Sequence, residues 1–214
     1  GFDIDIAKEV CSRLGIELKL QPIDWNNKQS ELENGNVDCL WNGFSKTPER
    51  DEQFNLSIPY MKNEQIILVK TDSDYQTLED LAGKTIGVQA DSSAESALEA
   101  EENKEFKDSL GEIVKIEDYA MAVLEIQNGT IDAISIDEVV ARFYLNNDPD
   151  AYRILSDSDG NALSLATEDY VIGFRKSDNA LKEKVEEALR EMSSDGTMKT
   201  ISEEWFGEDV TTVE

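Results

Sequence analysis

Asn34-Gly35-Asn36-Val37-Asp38-Cys39 returns later in the chain as Asn128-Gly129-Thr130-Ile131-Asp132-Ala133. Each copy reads as a helix end, a glycine stop, and an apolar strand carrying Asp at the same place. The elements upstream of the copies also correspond, as helix, strand, helix. Strands alternating with helices predict an α/β fold with parallel sheets, and the repeat predicts two of them.

Working outward, Ile6, Ala7, Val10, Cys11 and Leu14 recur at helical spacing over 4–14, with Gly15 as the stop. Ile16-Glu17-Leu18-Lys19-Leu20 alternates as a strand. A short helix over 27–34 leads to the strand 37–41. Gln65-Ile66-Ile67-Leu68-Val69 reads as a buried strand, and Thr71-Asp72-Ser73-Asp74 as a polar connector and first hinge. The second unit reads as strand 84–88, helix 92–102, strand 113–116, helix 119–127, strand 131–136 and helix 138–145. A short strand over 152–155, a turn at Asp157-Ser158-Asp159-Gly160-Asn161, a strand over 170–174 and helices at 179–193 and 197–205 follow. Trp205-Phe206-Gly207 reads as a terminal anchor. The second unit opens with a strand and the first with a helix. The echo therefore predicts a strand matching Lys84 to Val88 upstream of Gly1, or a slot filled by other polypeptide such as Val210-Thr211-Thr212-Val213.

In open parallel sheets, ligands bind at the carboxyl ends of strands. Asn42 to Arg50, Asp91 to Ser93 and Asp137 fall at such positions. Thr47-Pro48-Glu49 reads as a helix start, with Thr47 as N-cap and Pro48 in the first turn, presenting Arg50. A guanidinium fork suits a carboxylate, because it pairs with two oxygens at once. The alternative is a surface arginine paired with an acidic neighbour.

The chain has 20 basic and 47 acidic residues in 214, a net charge of −27. Such a balance disfavours nucleic acid and anionic membrane surfaces. No apolar run approaches the ~18 residues of a membrane span. There is no histidine, which excludes Ser-His-Asp and Cys-His catalysis and His-ligated zinc. Cys11 and Cys39 lack metal-type spacing and read as free core thiols, with a disulfide as the alternative. No metal or cofactor is expected.

The chain resembles the amino-acid-binding periplasmic (solute-binding) proteins of ABC importers, family 3 type. The resemblance rests on Gly1-Phe2-Asp3-Ile4-Asp5, Asp24-Trp25, Gly35-Asn36-Val37-Asp38, Thr47-Pro48-Glu49-Arg50 and Ile58-Pro59-Tyr60. Leu78-Glu79-Asp80-Leu81-Ala82-Gly83-Lys84, Ile86-Gly87-Val88-Gln89, Gly129-Thr130-Ile131-Asp132-Ala133 and Asp195-Gly196-Thr197 extend it over nearly the whole chain. It implies a two-lobed periplasmic-binding-protein-like fold (type II), with two mostly parallel sheets joined by two hinge segments. Lobe 1 is expected over 1–70 and 171–214, lobe 2 over 75–166, with hinges near 70–75 and 166–171. It also implies an extracytoplasmic protein, periplasmic or a surface lipoprotein, that passes a small L-amino acid to ABC permease subunits. Glutamine-like ligands stand first among polar and neutral ones.

Site roles follow from the resemblance, residue by residue. Arg50 is expected to hold the ligand α-carboxylate, with Ser45 and the backbone near Gly43 assisting. Ser93, with Ser92, is expected to bind the same carboxylate at a helix start, where free N–H groups and the helix dipole favour anions. Asp137 is expected to take the α-ammonium. Trp25 matches an aromatic that stacks on the ligand side chain, and Asn42 stands where the family commonly has a small residue. Plain alternatives stay open: a core tryptophan for Trp25, and helix N-caps for Ser92, Ser93 and Asp137. Two rival readings use the same fold. One is the ligand-sensing ectodomain of a receptor. The other is a dehydratase-like enzyme, which needs a proton donor in the cleft; Glu168 is the nearest candidate.

Overall fold

Ile66, Ile67, Leu68 and Val69 are all fully buried, and they alternate between two separate cores. Ile66 and Leu68 pack with Ala122, Val123, Ile126, Ile134 and Ile136. Ile67 and Val69 pack with Ile86, Val88, Ala94, Ala97 and Leu98. A strand sends successive side chains to opposite faces, so an unbroken apolar run marks a sheet covered on both sides.

The computed structural model describes residues 1–214. Its first elements are α1 (Phe2–Leu14), α2 (Lys28–Glu33), β1 (Cys39–Ser45), α3 (Pro48–Gln53), β2 (Asn55–Leu56) and β3 (Met61–Lys70). Then come β4 (Thr85–Gln89), α4 (Ser93–Glu99), α5 (Lys104–Ser109), β5 (Glu112–Ile116), α6 (Tyr119–Asn128) and β6 (Ala133–Asp137). The chain closes with α7 (Glu138–Asn147), β7 (Tyr152–Ile154), β8 (Ser164–Phe174), α8 (Asn179–Ser194) and α9 (Thr197–Phe206). The fold is α/β.

Two compact units divide the chain: Gly1–Lys62 with Glu168–Glu214, and Asn63–Thr167. The chain passes between them inside β3 and again inside β8. The first passage lies upstream of the polar connector 71–74, and strand pairing explains why. Gln65 to Val69 pair antiparallel with Asp137 to Ala133, and Leu68 to Lys70 pair with Ile154 to Tyr152. The ladder therefore assigns most of β3 to the second unit.

In the second unit the strand order is β5-β4-β6-β3-β7, with β5, β4 and β6 mutually parallel. α6 covers one face and α4 the other. The helix expected over 92–102 stops at Glu99, where Ala100 turns extended. Asn103 explains the break: its side-chain amide donates to Ala97 O at 2.7 Å and to Leu165 O at 2.8 Å. Those bonds draw the backbone into a turn before α5.

In the first unit, the end of β8 lies between β1 and β2. Cys39 and Asn55 both pair with Phe174, on opposite sides. The strand expected at 37–41 begins at Cys39 and runs on to Ser45, with an irregularity between Leu40 and Phe44. Val37 is held back because its N–H bonds to Glu31 O at the end of α2. α1 buries Phe2, Ile6, Ala7 and Val10, and Gly15 ends it at φ +65°, a backbone region that glycine enters without steric cost. The Phe2 and Phe206 rings lie 5.2 Å apart, and Trp205 Nε1 donates to Asp5 Oδ2 at 2.9 Å. The terminal anchor is thus fixed on α1.

Ile16 to Leu20 do not form the expected strand. The alternation is present, but β1 ends the strand order and the segment pairs with no neighbour, so Ile16 and Leu20 stay 48% and 54% exposed. Residues 210–213 do not take up that place. Thr211 bridges Met61, and Thr212 N donates to Tyr60 O at 2.9 Å. Cys11 and Cys39 are free thiols. The turn at 157–161 closes on the Asp157 carboxylate, which accepts from Asp159 N and Asn161 N, both at 2.9 Å.

Candidate functional site

In the first unit, Thr47 caps α3: its Oγ1 accepts from Arg50 N at 3.1 Å, and Pro48 takes the first helical position. That turn directs the Arg50 side chain inward. Arg50 is only 7% exposed, its Nη1 donates to Ser45 O at 2.8 Å, and its guanidinium lies 4.6 Å from the Phe44 ring centroid. Arg50 is therefore a buried arginine stacked on an aromatic face and not a solvated surface charge.

Ser45 is fully buried, and its hydroxyl donates to Glu168 Oε2 at 2.6 Å. Gly43 takes φ +58°, and its N–H donates to Asp3 Oδ2 at 2.8 Å. That N–H, expected to assist a ligand carboxylate, is thus engaged by the first turn of α1. Asp3 Oδ1 also accepts from Tyr60 Oη at 2.8 Å. Desolvation pushes the Asp3 carboxyl up from its ordinary value, opposed by the Tyr60 and Gly43 hydrogen bonds.

Asn42 is exposed on the strand beside these groups. Trp25 is half-buried, edge-on to Phe44 with centroids 5.9 Å apart, and Lys28 Nζ stands 5.3 Å from its ring centroid. Trp25 packs against the core cluster that holds Leu32, Leu40, Phe44 and Phe54, and Phe44 is the ring on which Arg50 lies.

In the second unit, the two serines separate in role. Ser92 is the N-cap of α4: its Oγ accepts from Glu95 N at 3.2 Å and donates to Gln89 O at 2.7 Å. Ser93 Oγ instead accepts from Gln65 Nε2 at 3.1 Å. Asp137 stands at the N-cap position of α7 but makes no side-chain cap bond. Its carboxylate points to β3, where Oδ1 accepts from Asn63 Nδ2 at 2.9 Å and from Gln65 Nε2. Asp137 is 7% exposed, Asn63 3% and Gln65 fully buried.

Local sequence gives Asp3, Asn63 and Gln65 no site role, and Glu168 reads there only as an enzyme's acid. The available signal was Asn63-x-Gln65 at the head of an apolar strand. Two polar residues at period two share a face, and buried amides demand partners.

The first unit thus holds a buried guanidinium and the second a buried, amide-bound carboxylate. No set of three His, Cys, Asp or Glu side chains converges to hold a metal, and no helix is long and apolar enough to cross a membrane.

Residues 1–208 match the family described as bacterial extracellular solute-binding proteins, family 3. The arginine-binding extracellular protein ArtP of Bacillus subtilis is 33% identical over 96% of this chain and 77% of its own length. The ABC transporter arginine-binding protein 1 of Escherichia coli is 29% identical, over 96% of this chain and 81% of its own. A substrate-binding protein of an ABC uptake transporter from Streptococcus pneumoniae, solved with bound histidine, superposes with a TM-score of 0.90. It is 39% identical, over 99% of this chain and 85% of that one.

Proposed function

Because the chain belongs to family 3 of the bacterial extracellular solute-binding proteins, we propose that it binds an L-α-amino acid outside the cytoplasm and delivers it to an ABC permease. It is a binding protein and not an enzyme. Arg50, with Ser45 beside it, takes the α-carboxylate. Asp137 takes the α-ammonium, and the Ser93 hydroxyl adds a polar contact to the same ligand. Trp25 stacks on the ligand side chain. Relatives described with arginine and histidine support reading ligands with cationic side chains ahead of glutamine-like ones.

Asp137 is the observation that carries this reading. A carboxylate at a helix start normally caps its own helix. This one turns away, is nearly buried, and is held by two neutral amides. A carboxylate turned from its own helix and oriented by amides of β3 suits an α-ammonium, which brings opposite charge and three donors.

Calorimetry against the twenty amino acids tests the proposal, with Arg50→Ala and Asp137→Asn as controls. Arg50→Ala should lose about 2–5 kcal/mol of binding. Asp137→Asn should weaken amino acids more than their deaminated analogues. Wild-type affinity in both variants, or equal losses for both ligand types in Asp137→Asn, refutes these assignments.

A further inference from the structure

Gln65 stands directly opposite Asp137 in the antiparallel pairing of β3 with β6. Directly paired residues of such a ladder project to the same face and are each other's nearest cross-strand neighbours. The Gln65 amide uses that placement twice: Nε2 donates to Asp137 Oδ1 and to Ser93 Oγ at 3.1 Å. A single fully buried side chain therefore joins the end of β6 to the start of α4.

We infer that Gln65 is a positioning residue that sets the Asp137 carboxylate and the Ser93 hydroxyl for the ligand's α-amino-acid group. The inference rests on the reading of Asp137 as the ammonium acceptor. Three features of the chemistry support it. An amide at position 65 orients the carboxylate through a hydrogen bond and brings no positive charge of its own to compete with an ammonium. A hydroxyl that accepts from an amide becomes a better donor of its own proton, which favours Ser93 as a donor to an anion. Asn63 adds a second amide to the same Oδ1, at 2.9 Å, so the carboxylate is gripped from two positions of one strand. Gln65 needs all four atoms of its side-chain arm to reach both partners, so shortening it to Asn breaks the bridge while leaving an amide in place.

The test is a double-mutant cycle on the whole chain with Gln65→Met, which keeps length and bulk but no amide, Asp137→Asn, and the two together. L-arginine and its deaminated analogue, 5-guanidinopentanoate, are the calorimetric probes, and urea denaturation midpoints are measured without ligand. Gln65→Met should weaken L-arginine binding about tenfold or more. In the Asp137→Asn background the same change should have a much smaller effect, because the group it positions is gone. Without ligand, each single change should lower the midpoint, and the double variant should fall by clearly less than their sum. Gln65→Glu should restore part of the arginine affinity at acidic pH, where its protonated carboxyl can donate, and lose it as pH rises and two carboxylates repel.

Additive effects on both affinity and midpoint overturn the positioning role. Loss in Asp137→Asn with none in Gln65→Met overturns it while leaving the proposed function standing. If wild-type protein binds neither probe, the midpoint cycle alone decides for Gln65, and the amino-acid panel decides for the function.

Discussion

The Ser45 hydroxyl donates to Glu168 Oε2 at 2.6 Å, from the end of β1 to a point on β8 just before Tyr170, the cross-strand partner of Ser45. The same serine's carbonyl oxygen accepts from Arg50 Nη1 at 2.8 Å. Ser45 thus links a carboxylate and a guanidinium through one residue, and Glu168 acts as an acceptor there.

Ser45→Ala should therefore lower stability by about 1–2 kcal/mol, because it leaves a partly buried carboxylate short of a donor. Glu168→Gln keeps an acceptor oxygen for the serine and should cost less. Chemical denaturation of the two variants checks the order; a larger loss for Glu168→Gln contradicts it.

Asp3 gives a pH dependence of defined sign. Desolvation raises its folded pKa above the ordinary 3.8, so the folded state holds the proton more tightly than the unfolded state does. The stability from this shift is complete below the unfolded pKa and is lost as pH rises through the raised folded value. In Asp3→Asn the amide can still accept from Gly43 N and donate to the Tyr60 oxygen, with no titration. The melting temperature of wild type relative to Asp3→Asn should fall as pH rises from about 3 to about 7. A difference that grows with pH contradicts the assigned shift.

The neighbouring serines of α4 should respond differently. Ser92 caps the helix, so Ser92→Ala should cost about 1 kcal/mol of stability and leave amino-acid affinity nearly unchanged. Ser93→Ala should lower amino-acid affinity, because its hydroxyl is bound to Gln65, which also holds Asp137. Paired melting and calorimetric measurements separate the two, and matching effects from both changes count against this division.

Ile16 and Leu20 are exposed in a segment with the alternation of a strand, and β1 ends the strand order. A strand-forming peptide with the pattern of Lys84 to Val88, added in trans, should pair alongside β1 and bring 16–20 into the sheet. Amide hydrogen exchange at Glu17, Leu18 and Lys19 should slow by at least about tenfold, as expected when exposed backbone groups enter a ladder. Unchanged exchange means the segment is extended for another reason.

The α/β class, the repeat, the helix stops at Gly15 and Gly129, and the cap at Thr47 are all decided within a few residues of chain. Periodicity and capping chemistry report them directly. Arg50, Ser93 and Asp137 were legible for the same reason, since each follows a strand at the start of a helix. What these residues do was decided at a distance. Asp137 could have capped α7, and only the antiparallel register that puts Gln65 opposite it turned the carboxylate toward β3. Gly43 could have offered its N–H to a ligand, and only the approach of α1 gave that N–H to Asp3. Ile16 to Leu20 alternate as a strand should, but a strand exists through its neighbour's hydrogen bonds. Local sequence sets what a side chain can donate or accept, and the tertiary structure selects the partner, because the competing contacts lie far away along the chain.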